Sequence, residues 1–170
     1  FMYFHTAFPV IAAGCAVLMD LRTMKVDNGW LLFCTLLGLL MQITESGIQG
    51  LGFWCTGLGF PIILLGALFW FRMLGAGDIK LLSVIGGMIG PYKILHCIWY
   101  SALIGAGISV AILILTGNIR QRIYCLILFF QEFRETGERK PYYRKGLHLE
   151  NFHFTVPIFL SVLLYAGGVY

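Results

Sequence analysis

The chain has 170 residues, 59% of them hydrophobic and only 12% charged, with a mean hydropathy of +0.84. Soluble domains carry about 25% charged residues, so this composition excludes an ordinary soluble domain and fits a polytopic membrane protein with room for one domain. The net charge of +4 matters less than its distribution, and no nucleic-acid partner is expected.

Taken in chain order, the apolar runs predict six membrane-spanning helices. The first is Phe4 to Leu21, expected to bend near Pro9. The second runs from Trp30 to Ile43 and the third from Ile48 to Phe71. A fourth covers Ile79 to Gly90, a fifth Ile94 to Thr116, and a sixth Phe152 to Tyr170. The runs are continuous rather than alternating, which selects an all-α bundle over a β-barrel. No basic residue precedes the first run and further spans follow it, so it is expected to be a span and not a cleavable signal peptide. At a ~1.5 Å rise per residue the fourth run covers only about 18 Å of a ~30 Å hydrocarbon core. Either that helix is longer than the run, or it begins in a hydrated recess, where irregular backbone is tolerated.

The one long connection is 117–151. Its apolar part, Ile119 to Phe130, holds a run too short to span, suited to the membrane interface or to extending the fifth helix. Gln131 to Glu150 is polar, of mixed charge and broken by Gly137 and Pro141, and reads as a solvated loop. Residues 1–170 are thus expected to form a single membrane-embedded domain with this loop within it.

Orientation follows from the basic residues, which favour the cytoplasmic side. With six alternating spans, one face receives Arg22, Lys25, Arg72, Lys80, Arg120, Arg122, Arg134, Arg139, Lys140, Arg144 and Lys145, and the other only Lys93. The loaded face is therefore expected to be cytoplasmic and both termini outside. Membrane lipids are accordingly expected contacts of the whole surface.

Asp20 and Asp78 fall on that same face. An ionisable residue at membrane depth is costly and is by default a functional hypothesis. Asp78 ends the run Gly75-Ala76-Gly77-Asp78 ahead of an apolar helix. Glycine there permits unusual backbone angles and close approach of an extended substrate. Two converging carboxylates share one proton; one then activates water while the other protonates the substrate. Taken singly, Asp78 also suits a helix cap, and Asp20 could pair with Arg22 or Lys25.

Three segments resemble the type IV prepilin peptidases. Asp20-Leu-Arg-Thr-Met-Lys-Val-Asp-Asn28 is similar to that family's first-aspartate motif, in which a basic residue and a Pro-Asn pair follow the acid. Here Lys25 and Asn28 match, while Asp27 replaces the usual Pro. Gly75-Ala76-Gly77-Asp78-Ile79-Lys80 resembles its GxGD motif followed by a Lys. Phe154-Thr-Val-Pro157 resembles its C-terminal Phe-x-x-Pro signature. The resemblance implies a GxGD-type aspartic endopeptidase that needs no cofactor or metal. Asp20 and Asp78 would be the catalytic pair, Gly75, Ala76 and Gly77 the substrate-positioning loop, and Lys25, Asn28, Lys80 and Pro157 supporting residues. Its substrate would be a prepilin or pseudopilin, cut between a short basic leader and an apolar helix at the cytoplasmic membrane face. No paired CxxC motifs are present, so the chain resembles the short type without a methyltransferase domain, and N-methylation is not expected.

The remaining polar residues are expected to be structural. Cys15, Cys34, Cys55, Cys97 and Cys125 are dispersed, fit small buried hydrophobes and form no zinc spacing. His5, His96, His148 and His153 are equally scattered and no role is expected of them. Lys25 and Lys80 are expected to snorkel to headgroups. Gln42, Glu45 and Gln49 are expected on the outer face without function. The alternative to a peptidase is a proton- or cation-coupled transporter relaying ions through Asp20 and Asp78. That reading needs a polar trail across the bundle, and the helices offer chiefly Thr35, Thr56, Ser83, Ser101 and Ser109. A non-enzymatic subunit would use the helix glycines only for packing.

Overall fold

The computed structural model describes residues 2–70, 74–116 and 153–170. All elements among them are helices: α1 (Met2–Thr23), α2 (Asn28–Trp70), α3 (Ala76–Ile89), α4 (Pro91–Thr116) and α5 (Thr155–Ala166). Three are long and apolar enough to cross a membrane, over Thr6–Thr23, Asn28–Gly66 and Pro91–Ile112. The chain divides into two compact units, Phe1–Gly105 with His153–Tyr170, and Ala106–Phe152. Of the second unit, the described part is the C-terminal end of α4. The expected interfacial segment, the polar loop, Cys125 and His148 lie outside the described residues.

Within the first unit, α2 is two helical arms, not one rod. Gly47 sits between them at φ 56°, ψ −134°, a conformation that side-chain-bearing residues avoid. The chain then reverses: a Cβ on Gly50 would collide with the Gln42 carbonyl oxygen. The second and third expected runs are therefore two helical arms joined by a single glycine, with Thr44, Glu45 and Ser46 still helical instead of forming a loop. The first also runs longer than its apolar core, from Met2 through Pro9 to Thr23. The sixth is shorter than expected, since the helix covers only Thr155–Ala166.

The central element is α3. From Leu81 to Ile89 every residue is buried, as befits a helix apolar on all sides. Its 14 residues make it about 21 Å long at ~1.5 Å per residue. It starts three residues earlier than expected and still falls short of a full bilayer, which its enclosure by other helices tolerates. Glycines let the arms of α2 approach. Gly57 and Gly86 meet backbone to backbone, and a Cβ on either would strike the other's carbonyl oxygen. Trp54 packs over Gly87, and Met88 over Gly38. Gln42 donates from Nε2 to the Met88 carbonyl at 3.0 Å, supplying a partner to one of the orphan carbonyls at the end of α3. The expectation that Gln42 has no function is thus corrected, because its amide is buried against that helix end.

The turn into α4 is Gly90-Pro91. Gly90 has φ 90°, and the Phe53 ring occupies the space a Cβ would need. Pro91 opens the next helix, where a missing N–H costs nothing. The start of α4 is tied to α5 through Ser161 Oγ donating to the Cys97 carbonyl at 2.9 Å. Trp30 of α2 donates to the Ala12 carbonyl of α1 at 3.3 Å, and Phe159 of α5 packs on Gly14. Large apolar side chains such as Leu32, Leu36, Ile62 and Ile63 point outward.

Candidate active site

Helix direction brings the polar groups together. The C-terminal end of α1 and the N-terminal ends of α2, α3 and α5 meet at one end of the first unit, joined by the contacts that follow. Gln42, Met88 and Phe53 mark the other end.

Asp20 lies in the last turn of α1. That helix ends at Thr23, whose hydroxyl donates to the Met19 carbonyl at 2.9 Å and the Lys25 carbonyl at 2.8 Å. Met24 follows in a left-handed conformation, φ 58°, with its N–H on the Asp20 carbonyl at 2.8 Å. This tight stop turns the chain towards α2. Asp27 stands at the N-cap position of α2, its carbonyl accepting the Leu31 N–H at 3.2 Å. Asp is a favoured N-cap, which accounts for its tolerance where the resembled motif has Pro.

Asp78 is in the first turn of α3, inside the helix rather than ahead of it. Gly75 is the N-cap, with φ −72° and ψ 144°, and its N–H donates to the Asp78 carboxylate. This is the reciprocal half of a capping box, so the capping role and proximity to Asp20 coexist. Neither Gly75 nor Gly77 adopts a positive φ. The positive-φ part of the expectation for these glycines is therefore corrected. At Gly75 the reason is room, since a Cβ there would lie 3.0 Å from Asp78 Oδ2. Gly77 faces Val26 at ordinary contact distance, and Ala76 is exposed.

The half-buried Asp78 carboxylate lies within electrostatic reach of two groups, Asp20 and His153. His153 Nδ1 is 2.8 Å from Asp20 Oδ2, and Thr155 Oγ1 donates to the same oxygen at 2.7 Å. The two acids and the imidazole thus lie within electrostatic reach of one another at this end of the unit. Among the described residues no group of three or more His, Cys, Asp or Glu side chains is arranged to hold a metal.

The comparison with protein families settles what kind of protein this is. The pattern of the type IV leader peptidase family matches residues 7–110, a stretch that includes both acid motifs. The chain belongs to the type IV leader peptidase family. It is thereby a membrane-associated peptidase by family, and its apolar helices agree. Comparisons with curated proteins and with solved structures find no match. The matched stretch ends before α5, so Phe154–Pro157 and His153 lie outside it.

The other expected site residues divide. Lys80 Nζ donates to Asn28 Oδ1 at 2.9 Å, linking the starts of α2 and α3 beside the acids. Lys80 therefore has a protein partner, where a lipid-facing role was expected. Lys25 is exposed, next to the turn after α1. Pro157 is buried and packs, with Phe154, near Gly105 on α4. It is in the first turn of α5, where Pro is tolerated, and its role is packing. His153 is the residue that sequence reasoning passed over. Its one available signal is its position directly ahead of the Phe154–Pro157 signature.

Proposed function

We propose that the chain is a GxGD-type aspartic endopeptidase that removes the basic leader of prepilins or pilin-like proteins. The observation that carries this reading is the meeting of Asp20 and Asp78 at one helix-bundle end in a member of a leader peptidase family. One carboxylate draws a proton from water, which attacks the scissile carbonyl carbon. The other protonates the carbonyl oxygen; as the resulting gem-diol collapses it takes a proton back from a hydroxyl, and the first carboxyl passes the proton it took from water to the leaving amine. Gly75, with no Cβ to crowd the Asp78 carboxylate, leaves that carboxylate free to meet an extended substrate segment.

Counting the two arms of α2 separately, α1 to α5 supply six passes in one membrane-embedded domain. The distribution of basic residues then puts Asp20, Asp78, Asn28, Lys80 and His153 on the cytoplasmic side of the cell membrane. A substrate whose basic leader rests on anionic headgroups would present its cleavage junction there. A transporter reading finds less support, because the hydroxyls offered as a trail bond their own helices. Thr35 donates to Leu31, Thr56 to Gly52, Ser83 to Ile79 and Ser101 to Ile98.

The test is reconstitution of the purified chain in anionic liposomes with a pilin-like reporter, a short basic leader ending in Gly ahead of an apolar helix. Mass spectrometry of the products is expected to find one cut, at the leader–helix junction. Proton flux through the same liposomes with no cut reporter would replace the peptidase reading by the transporter.

A further inference from the structure

Two side chains at the start of α5 converge on a single oxygen of Asp20. His153 Nδ1 and Thr155 Oγ1 stand 2.8 and 2.7 Å from Oδ2, within the range for charge-assisted hydrogen bonds. Neither residue belongs to an acid motif, and His153 is separated from Asp20 by most of the chain. A carboxylate at the last turn of a helix otherwise turns freely about its Cβ–Cγ bond. When the Asp20 carboxylate is ionised it only accepts, and the Nδ1 facing it is then the protonated nitrogen of the imidazole. The anchors are themselves fixed: Thr155 is 1% exposed at the first position of α5, and His153 and Asp20 are 18% and 14% exposed. His153 also lies within electrostatic reach of Asp78.

We infer that His153 and Thr155 are positioning residues that lock the Asp20 carboxylate through Oδ2 and leave Oδ1 as its working oxygen. The inference rests on the reading of Asp20 as one of the catalytic acids. Asp78 has its own restraint, the Gly75 N–H. The two carboxylates are thus oriented separately, one by side chains of α5 and one by the backbone at the start of α3. Ordering of α5 against α1 then becomes a condition for activity, although α5 carries no acid of its own.

A merely structural tie between α5 and α1 would lower stability and leave turnover alone, so the test separates the two. Reporter cleavage in anionic liposomes is followed to obtain kcat and KM for H153A, H153N, T155V and T155S, with thermal unfolding in detergent measured in parallel. D20N and D78N are run beside them. Misplacement of a catalytic group by ~1 Å costs about 100-fold, so H153A and T155V are expected to lose about 10- to 100-fold in kcat with KM unchanged. H153N places an amide N–H near the Nδ1 position and T155S keeps the hydroxyl, so both are expected to retain most of the wild-type kcat. T155V is close to Thr in shape and carries the test if H153A fails to fold. Wild-type kcat in H153A and T155V overturns the inference, as does H153N as impaired as H153A. If D20N itself still cleaves, it is the catalytic assignment that fails, whatever the α5 variants do.

Discussion

The crossing of α2 and α3 at Gly57 and Gly86 offers a quantitative test of how the fold holds Asp78. A Cβ on either glycine would meet the other's carbonyl oxygen well inside the 3.0 Å that real Cβ atoms keep. The obstacle is backbone on both sides, so no side chain can swing away. Reaching the 3.4 Å at which ordinary contact begins requires the helices to part by about 1 Å. Overpacking of this kind costs about 1–3 kcal/mol, against which the gain from replacing a helical Gly by Ala is only about 0.4–1 kcal/mol. For a chain of this size each kcal/mol moves Tm by about 2–4 °C. Because α3 is a short rigid rod with Asp78 in its first turn, the displacement carries to the carboxylate, and ~1 Å there costs about 100-fold in rate. G57A and G86A are therefore expected to lower both Tm in detergent, read from tryptophan fluorescence, and kcat for the reporter. G59A and G66A, whose added Cβ would meet nothing within 4 Å, serve as controls and should leave both quantities near wild type. Wild-type Tm and kcat in G57A and G86A, or equal damage in G59A, would refute this account of the crossing.

Four further outcomes are expected. Q42L removes the donor from the buried Met88 carbonyl and should cost about 1–3 kcal/mol, measured as a fall in Tm with little change in KM. G75A places a methyl 3.0 Å from Asp78 Oδ2 and should depress kcat while leaving Tm near wild type; unchanged kcat would mean the space is not used. A cysteine at Ser46 or Ile48, beside the Gly47 reversal, should label from outside, and one in 137–145 only after permeabilisation; labelling of both from one side would mean a miscounted span. Gly50 is the poorer label site, since its Cβ would strike the Gln42 carbonyl. Chelators should leave cleavage unchanged, whereas complete loss would point to a metalloprotease.

What could be read from the sequence was set by how local each signal is. Continuous apolar runs announce membrane helices directly, so α1, both arms of α2 and α4 were legible, with errors confined to their ends. Two acids beside basic residues, one in a GxGD run, were expected as a pair from the basic asymmetry, and the structure brings the helix ends that carry them to one end of the first unit. The reversal at Gly47 was not legible as a single residue: with 21 glycines in the chain, nothing local marks the positive φ of Gly47, and the neighbouring polar residues imitate a loop. Gln42 was misread because its role depends on where α3 ends, and a helix end's need for a donor names no partner. His153 was missed for the same reason. Its bond to Asp20 spans 133 positions, and one of four scattered histidines carries no local mark of that contact.

The central claim is that Asp20 and Asp78 act as one acid–base unit, and the most direct measurement is the single-turnover cleavage rate of the reporter by D20N, D78N and the double variant. Residues that act as a unit are not additive: removing one costs about as much as removing both. The expected result is loss of leader removal in each single variant, down to the level of the double, with wild-type accumulation and Tm. Near-wild-type cleavage by D20N or by D78N would contradict the account.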